Sequence, residues 1–136
     1  MSVLETKNIS KQYPGTLALN HINVSFDSGR VHAFVGKNGS GKSTLLKVFS
    51  GAISPTSGEF FLDGKEIMIR RPEDAIRAGI VLAPEDRKKD GLCTKLSIRH
   101  NIALPNLDLL CSRMGVVSRT KEDEMCNKVV ADLKVK

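Results

Sequence analysis

Along the first part of the chain, apolar and polar residues alternate in strand-like and helix-like periods. Partial apolar alternation with β-branched residues predicts strands over 3–9 and 22–26. Continuous apolar runs predict two further strands, buried on both faces, at 31–35 and 80–83. An Asp-Gly turn between two apolar segments predicts a hairpin over 57–67. This pattern indicates an α/β fold that begins with antiparallel strands.

Helical spacing of apolar residues appears between these strands. The segment 43–50 has such spacing, and Gly51 follows it as a helix stop. The segment 72–79 begins with proline and acidic residues and ends in glycine, which is the asymmetry of a short helix. Both segments are therefore predicted to be helices.

Beyond residue 92 the chain becomes more polar and more helical. We predict a helix over 97–104 with Ser97 as its cap, and another over 120–133 with Thr120 as its cap. The segment 106–118 between them is predicted to be an irregular connection. The change in texture divides the chain into a first part over 1–95 and a second part over 96–136.

Composition excludes several classes of protein. In 136 residues no apolar run approaches the ~20 residues that span a bilayer. The three cysteines cannot all pair with one another, and no cysteine or histidine spacing fits a metal cage, which favours a reduced, cytoplasmic protein. The net charge of +6 is spread evenly and tryptophan is absent, so no nucleic-acid partner is expected.

One motif carries the chemistry. Residues 36–43 read Gly-Lys-Asn-Gly-Ser-Gly-Lys-Ser, the phosphate-binding pattern Gly-x-x-x-x-Gly-Lys-Ser/Thr, between a predicted strand and a predicted helix. Glycines let backbone N–H groups approach a polyphosphate, and the positive end of the following helix faces the same charge. Lys42 can reach the outer phosphates, and the Ser43 hydroxyl is a hard oxygen ligand suited to Mg²⁺. The alternative is a glycine-rich turn without a ligand.

The loop Gly-Lys-Asn-Gly-Ser-Gly-Lys-Ser-Thr, followed by Gly51 and by Ser-Gly-Glu at 57–59, resembles the nucleotide-binding domains of ABC transporters over essentially the whole chain. The resemblance implies a P-loop NTPase core that binds ATP over 1–95, with an antiparallel β subdomain at its start, and the incomplete beginning of a helical subdomain over 96–136. It also implies ATP and Mg²⁺ as cofactors. The loop residues that would bind ATP are Gly36, Asn38, Gly39, Ser40, Gly41, Lys42, Ser43 and Thr44.

By the same resemblance, an aromatic residue in the antiparallel β start stacks on adenine, and Tyr13 stands at that position. The alternative for Tyr13 is a half-buried hydrophobic residue with a solvated hydroxyl group. Ala18 could border the ribose.

Glu85 stands where the family usually has a glutamine that touches Mg²⁺ and the attacking water, and a carboxylate can take that role. The segment 83–92 around it resembles the second cassette of sugar-import ATPases of the ribose, galactose and xylose type, whereas the phosphate loop resembles their first cassette. The alternative for 85–90 is a mixed-charge surface turn.

The 136 residues contain no counterpart of the family's Leu-Ser-Gly-Gly-Gln signature, its apolar run ending in Asp-Glu, or its switch histidine. The resemblance therefore implies the N-terminal, truncated portion of a cassette, without catalytic residues of its own beyond a possible contact of Glu85. The leading hypothesis is an ATP-binding subunit for import of a solute, with a sugar as the expected solute, on the inner face of the cell membrane. Its partners would be a second ATP-binding subunit or cassette and a membrane-spanning permease subunit.

Two other hypotheses follow from the same residues. One is a nucleotide-binding module, or gene remnant, that does not hydrolyse ATP. The other, which rests only on the positive charge, is an ABC-like ATPase acting on nucleic acid.

Overall fold

The computed structural model describes residues 2–134, which form one antiparallel sheet and five α-helices. The strands are β1 (Ser2–Tyr13), β2 (Thr16–Asp27), β3 (Ser57–Leu62) and β4 (Lys65–Ile67). The helices are α1 (Lys42–Phe49), α2 (Pro72–Arg77), α3 (Ile98–Ala103), α4 (Leu107–Leu110) and α5 (Arg119–Asp132), with a π-helical turn at Arg87–Gly91 and a 3₁₀ turn at Leu104–Asn106. Chain contacts divide the protein into two units, Met1–Leu82 and Ala83–Lys136. The predicted boundary after residue 95 stays a prediction.

The sheet has the order β2-β1-β3-β4, and every neighbouring pair is antiparallel. The predicted strands at 3–9 and 22–26 and the hairpin over 57–67 are therefore confirmed. Strands β1 and β2 extend further than predicted, and they meet at a tight turn with Gly15 at a φ of 76°. Strand β1 lies between β2 and β3, so hydrogen bonds to both neighbours fix its backbone.

Four register shifts, which are bulges or irregularities, interrupt the pairing of β1 with β2. Asn8 and His21 both have positive φ, at 54° and 49°. Polar side chains bind the backbone groups that the bulges displace: Asn23 Oδ1 accepts from the Asn8 N–H at 2.9 Å, and Ser10 Oγ accepts from the His21 N–H at 3.0 Å. These bonds hold the irregular register without leaving backbone donors unpaired.

The core of the first unit lies between the sheet and α1. Its ring contacts are edge-to-face, with centroids 5.4 Å apart for Phe26 and Phe49 and 6.2 Å apart for Phe49 and Phe60. The buried apolar residues of this core are Ile9, Leu19, Leu45, Val48, Phe49, Phe60, Ile69 and Ala75.

The predicted buried strands at 31–35 and 80–83 are wrong for this structure. Neither segment joins the sheet, and Val31, Val35 and Val81 are exposed over 100%, 95% and 79% of their surface. An apolar run becomes a buried strand only when flanking strands take up its hydrogen bonds. The described residues provide no strand beside either run.

The first two predicted helices are confirmed. Helix α1 ends where Gly51 adopts a φ of 70° and donates its N–H to the Val48 carbonyl at 3.2 Å. Helix α2 begins at Pro72, and Asp74 Oδ2 accepts from the N–H groups of Arg70 and Arg71. These bonds, the one from Arg70 first, hold the pKa of Asp74 below its usual value.

The helices of the second unit depart further from prediction. Helix α3 has its predicted cap, since Ser97 Oγ accepts from the His100 N–H. Helix α5 begins at Arg119 with Ser118 at the cap position. The prediction of Thr120 as the cap is wrong, because Thr120 lies inside the helix, two residues after the cap position. The predicted irregular connection 106–118 contains α4, which is held by the buried side chain of Leu110.

Replacing Ile9 by alanine tests the core of the first unit. Ile9 is completely buried, so Ile9→Ala should lower the free energy of unfolding by about 2–5 kcal/mol. Tyr13, the only tyrosine in a chain without tryptophan, reports this transition by fluorescence in urea. The control Leu17→Ala, at a half-exposed site in β2, should change it by less than about 0.5 kcal/mol. Equal losses of unfolding free energy in Ile9→Ala and Leu17→Ala would contradict the placement of Ile9 in the core.

Candidate phosphate-binding site

The side chain of Lys42 lies inside the predicted phosphate loop. Its Nζ donates to the carbonyl oxygens of Gly36 at 2.7 Å and Lys37 at 2.8 Å, and to Ser40 Oγ at 3.3 Å. The ammonium group is thus surrounded by oxygen acceptors of the loop itself. This places one positive charge at the centre of the loop, where an anion would gain most from it.

Helix α1 begins at the same lysine. The first backbone hydrogen bond of the helix runs from the Leu45 N–H to the Gly41 carbonyl at 2.8 Å. The N–H groups of Lys42, Ser43 and Thr44 therefore have no partner within the helix. Such groups, together with the positive end of the helix dipole, are the usual backbone site for a phosphate.

Gly41 links the loop to the sheet. It has a φ of 89°, and a methyl group at its Cα would lie 2.6 Å from the Ala18 carbonyl oxygen and 3.0 Å from Leu19 Cδ2. No other residue type fits that space in that conformation. The close approach sets the start of α1 directly against β2.

The remaining loop residues form a solvent-exposed turn. Asn38, Gly39 and Ser40 are all exposed, and the Ser40 N–H donates to the Lys37 carbonyl at 3.2 Å. Gly36 stands close to Ser40, since a methyl group there would lie 2.9 Å from Ser40 Oγ. The structure thus brings the predicted loop residues together. Sequence reasoning missed the bond from Lys42 to Ser40, because no spacing rule reports where a loop hydroxyl points.

The residues present fit a polyphosphate with Mg²⁺. The loop offers an ammonium group and the free N–H groups of a helix N-terminus, which are anion donors, and the exposed Ser43 hydroxyl is a hard-metal ligand. Gly36 has no side chain at the point where Ser40 Oγ and Lys42 Nζ approach it, so the loop can close around the Lys42 ammonium group. Among residues 2–134 no group of three or more His, Cys, Asp or Glu side chains could hold a metal ion by itself.

Tyr13 ends β1, pairs with Thr16 across the tight turn and is half-buried. The ammonium group of Lys11 lies 5.3 Å from the centre of its ring. The ring is therefore partly accessible and sits in a positive environment, and its contact with adenine stays a prediction.

Glu85 belongs to the second unit, where its side chain is exposed. The neighbouring Asp86 accepts from the N–H groups of Lys88 and Lys89 and pairs with the Lys89 ammonium at 3.7 Å. The segment is therefore an ordered surface turn of mixed charge. The metal and water role of Glu85 stays a prediction.

No helix within the described part of the chain is both long enough and apolar enough to cross a membrane.

Replacing Gly41 by alanine tests the contact between loop and sheet. We expect Gly41→Ala to be more destabilising than the control Gly15→Ala, because both sites have positive φ but only Gly41 meets another atom. The conformational penalty alone is about 1–2 kcal/mol, and the collision with Ala18 adds to it. Urea unfolding followed by Tyr13 fluorescence measures both variants. Equal losses of stability would contradict the close approach.

Known proteins are similar to this chain in sequence. Residues 19–136 match the family model described as ABC transporter. The chain is 40% identical over 128 residues to a ribose import ATP-binding protein, RbsA 2, of Escherichia coli O157:H7, which covers 94% of this chain and 24% of that protein. It is 42% identical over 106 residues to the arabinose import ATP-binding protein AraG of Vibrio parahaemolyticus, covering 78% of this chain and 20% of that protein.

Solved structures show the same fold. The ADP conformation of MJ1267, an ATP-binding cassette of an ABC transporter, matches with a TM-score of 0.70 and 26% identity, over 99% of this chain and 55% of that one. A nucleotide-free cassette matches with a TM-score of 0.64 and 28% identity, over 84% and 44%. The chain spans about a quarter of the length of its curated relatives. With its phosphate loop, its antiparallel β start and these matches, the chain belongs to the ABC transporter family.

Proposed function

We propose that this chain binds Mg·ATP as the first part of an ATP-binding subunit that powers sugar import. The observation that carries the proposal is the ammonium group of Lys42, held among loop oxygens directly beside the free N–H groups of α1. Relatives named as ribose and arabinose import ATP-binding proteins support the substrate class.

Each loop residue has a role in this proposal. Lys42 exchanges the Gly36 and Lys37 carbonyl oxygens for the outer phosphate oxygens, which carry full negative charge and attract it more strongly. The backbone of Asn38, Gly39, Ser40 and Gly41 and the start of α1 through Thr44 surround the phosphates. Tyr13 offers its ring to adenine.

Ser43 is the proposed Mg²⁺ contact of this loop, through its hydroxyl oxygen. For Glu85, a contact with Mg²⁺ through its carboxylate is proposed from the family resemblance alone. When bound, the ion would neutralise charge on the phosphates and so favour phosphoryl transfer to water. The chain's own residues mainly bind phosphate. A measurement of ATP binding should therefore test the proposed function more directly than a measurement of ATP turnover.

The partners and the location follow from the same relatives and are part of the proposal. Subunits with these names act in import, so we propose a membrane-spanning permease and a second ATP-binding subunit or cassette as partners. The protein would then lie on the inner face of the cell membrane through the permease. A role on nucleic acid would require that the chain binds DNA or RNA with an affinity that falls steeply as salt rises. The evenly spread positive charge of the chain does not favour such a role.

Calorimetric titration of the full chain with Mg·ATP, paired with a phosphate-release assay on the same sample, tests the proposal. Lys42→Ala should weaken binding about tenfold to a hundredfold, because charged hydrogen bonds to phosphate are lost. Lys37→Ala removes an equal charge from an exposed side chain of the same loop and should change affinity far less.

Equal affinity of Lys42→Ala and the unaltered chain would refute the proposed site. Binding without phosphate release would favour the nucleotide-binding module that has no turnover. Release that disappears in Lys42→Ala would show that the chain hydrolyses ATP at this loop.

The adenine contact has its own test. Tyr13→Ala should weaken ATP binding by about 1 kcal/mol and leave the affinity for inorganic triphosphate unchanged, because only ATP carries a base to stack. Tyr13→Phe, which keeps the ring, should bind ATP like the unaltered chain. Equal weakening for ATP and triphosphate would mean that Tyr13 supports the fold of the β1–β2 turn and does not touch adenine.

A further inference from the structure

The segment 53–56, which follows α1, is bonded to the end of β1. The Thr56 N–H donates to the Ser10 carbonyl at 2.8 Å, and Thr56 Oγ1 accepts from the Gln12 N–H at 3.0 Å. The last register pair of β1 with β3 is Ser10 with Ser57. The bond to Gln12 therefore holds the end of β1 where its pairing with β3 has stopped.

The same segment is bonded to α1 and to the residues before α2. The Ile53 N–H donates to the carbonyl of Lys47, in the last turn of α1, at 3.2 Å, and Ser54 Oγ donates to the Arg70 carbonyl at 3.2 Å. Helix α1 begins at Lys42, inside the phosphate loop. A continuous series of hydrogen bonds therefore links the helix of the candidate phosphate site to the end of β1.

Lys11 extends this connection to the ring of Tyr13. Its Nζ donates to the Ser54 carbonyl at 2.7 Å and lies over the Tyr13 ring, 5.3 Å from its centre. Because Gln12 separates Lys11 from Tyr13 on a strand, the two side chains leave the same face. A cation at this distance is attracted to the face of an aromatic ring. The bond to the carbonyl fixes the ammonium group, and the ammonium group in turn restricts the ring.

We propose that Lys11 is a positioning residue for Tyr13, holding one face of the ring so that the other face meets the adenine of a nucleotide bound at the phosphate loop. The contact with adenine rests on the function proposed above, whereas the hold of Lys11 on the ring does not. Tyr13 adjoins the turn at Pro14 and Gly15, where a side chain without such a contact has several rotamers open to it. A ring that is fixed before nucleotide arrives loses less conformational entropy on binding.

The position of the Lys11 ammonium group, and not its charge alone, carries this role. A lysine that only added positive charge near the nucleotide would strengthen the binding of ATP and of inorganic triphosphate alike, because both ligands carry three phosphates. A lysine that acts through the Tyr13 ring strengthens the binding of ATP alone. Comparing the two ligands therefore separates these cases.

Calorimetric titration of Lys11→Met with Mg·ATP and with inorganic triphosphate tests this role in the full chain. Methionine keeps an unbranched side chain and removes the charge and the hydrogen-bond donor. We expect the affinity for ATP to fall about twofold to fivefold, up to the loss expected for Tyr13→Ala, and the affinity for triphosphate to stay unchanged. Lys11→Arg, which keeps a cation and a donor, should bind ATP like the unaltered chain.

Lys7→Met is the matched control. Lys7 lies earlier on the same strand, and its ammonium group lies over the Phe61 ring, 4.4 Å from the ring centre. The substitution removes an equal charge and the same kind of contact with a ring, away from Tyr13. It should leave the affinities for both ligands unchanged.

The fluorescence of Tyr13 gives a readout that needs no nucleotide, since the chain has one tyrosine and no tryptophan. Acrylamide should quench this fluorescence more strongly in Lys11→Met than in the unaltered chain or in Lys7→Met, because the ring loses a neighbour that covers one face. In a Tyr13→Ala background, Lys11→Met should weaken ATP binding no further, because a residue that acts through the ring has no effect without it.

Equal losses of affinity for ATP and triphosphate in Lys11→Met, or the same loss for ATP with and without the Tyr13 ring, would overturn the positioning role. ATP affinity or quenching in Lys11→Met that matches the unaltered chain would also overturn it, as would an equal loss in Lys7→Met. Absence of Mg·ATP binding by the unaltered chain would refute the proposed function and the adenine contact with it. Stronger quenching in Lys11→Met would, in that case, still support the hold of Lys11 on the ring.

Discussion

The packing of α1 against the antiparallel sheet is the constraint on which the first unit depends. Leu45, Val48 and Phe49 bury one face of a helix of eight residues, which is too short to be stable in isolation. The other side of this contact is the sheet with Ile9 and Phe60. Because the helix is stable only on the sheet, its N-terminus and the loop before it have a defined place.

That packing also positions charge. Gly41 lets the backbone meet the Ala18 carbonyl, so the free N–H groups of α1 begin where the loop ends. The ammonium group of Lys42 then finds three oxygen acceptors within the loop. The candidate phosphate site therefore combines an apolar contact on one side of the helix with an electrostatic arrangement at its end.

The same unit leaves apolar surface open. Residues that cover the inner face of 31–35, such as Phe26, belong to the sheet and its aromatic cluster, while Val31 and Val35 face outward.

The sequence by itself determined the local structure and the chemistry of the loop. The Asp-Gly turn at 63–64, the cap at Ser97 and the helix end at Gly51 depend on neighbouring residues, and each lies where the sequence predicts it. Nucleotide binding by the motif at 36–43 stays a prediction. Tertiary structure alone decided whether the apolar runs at 31–35 and 80–83 became strands, because a strand requires a neighbour that its own residues cannot specify. It also decided where α4 and the first turn of α5 lie, since the burial of Leu110 and the position of Ser118 depend on packing and not on local pattern.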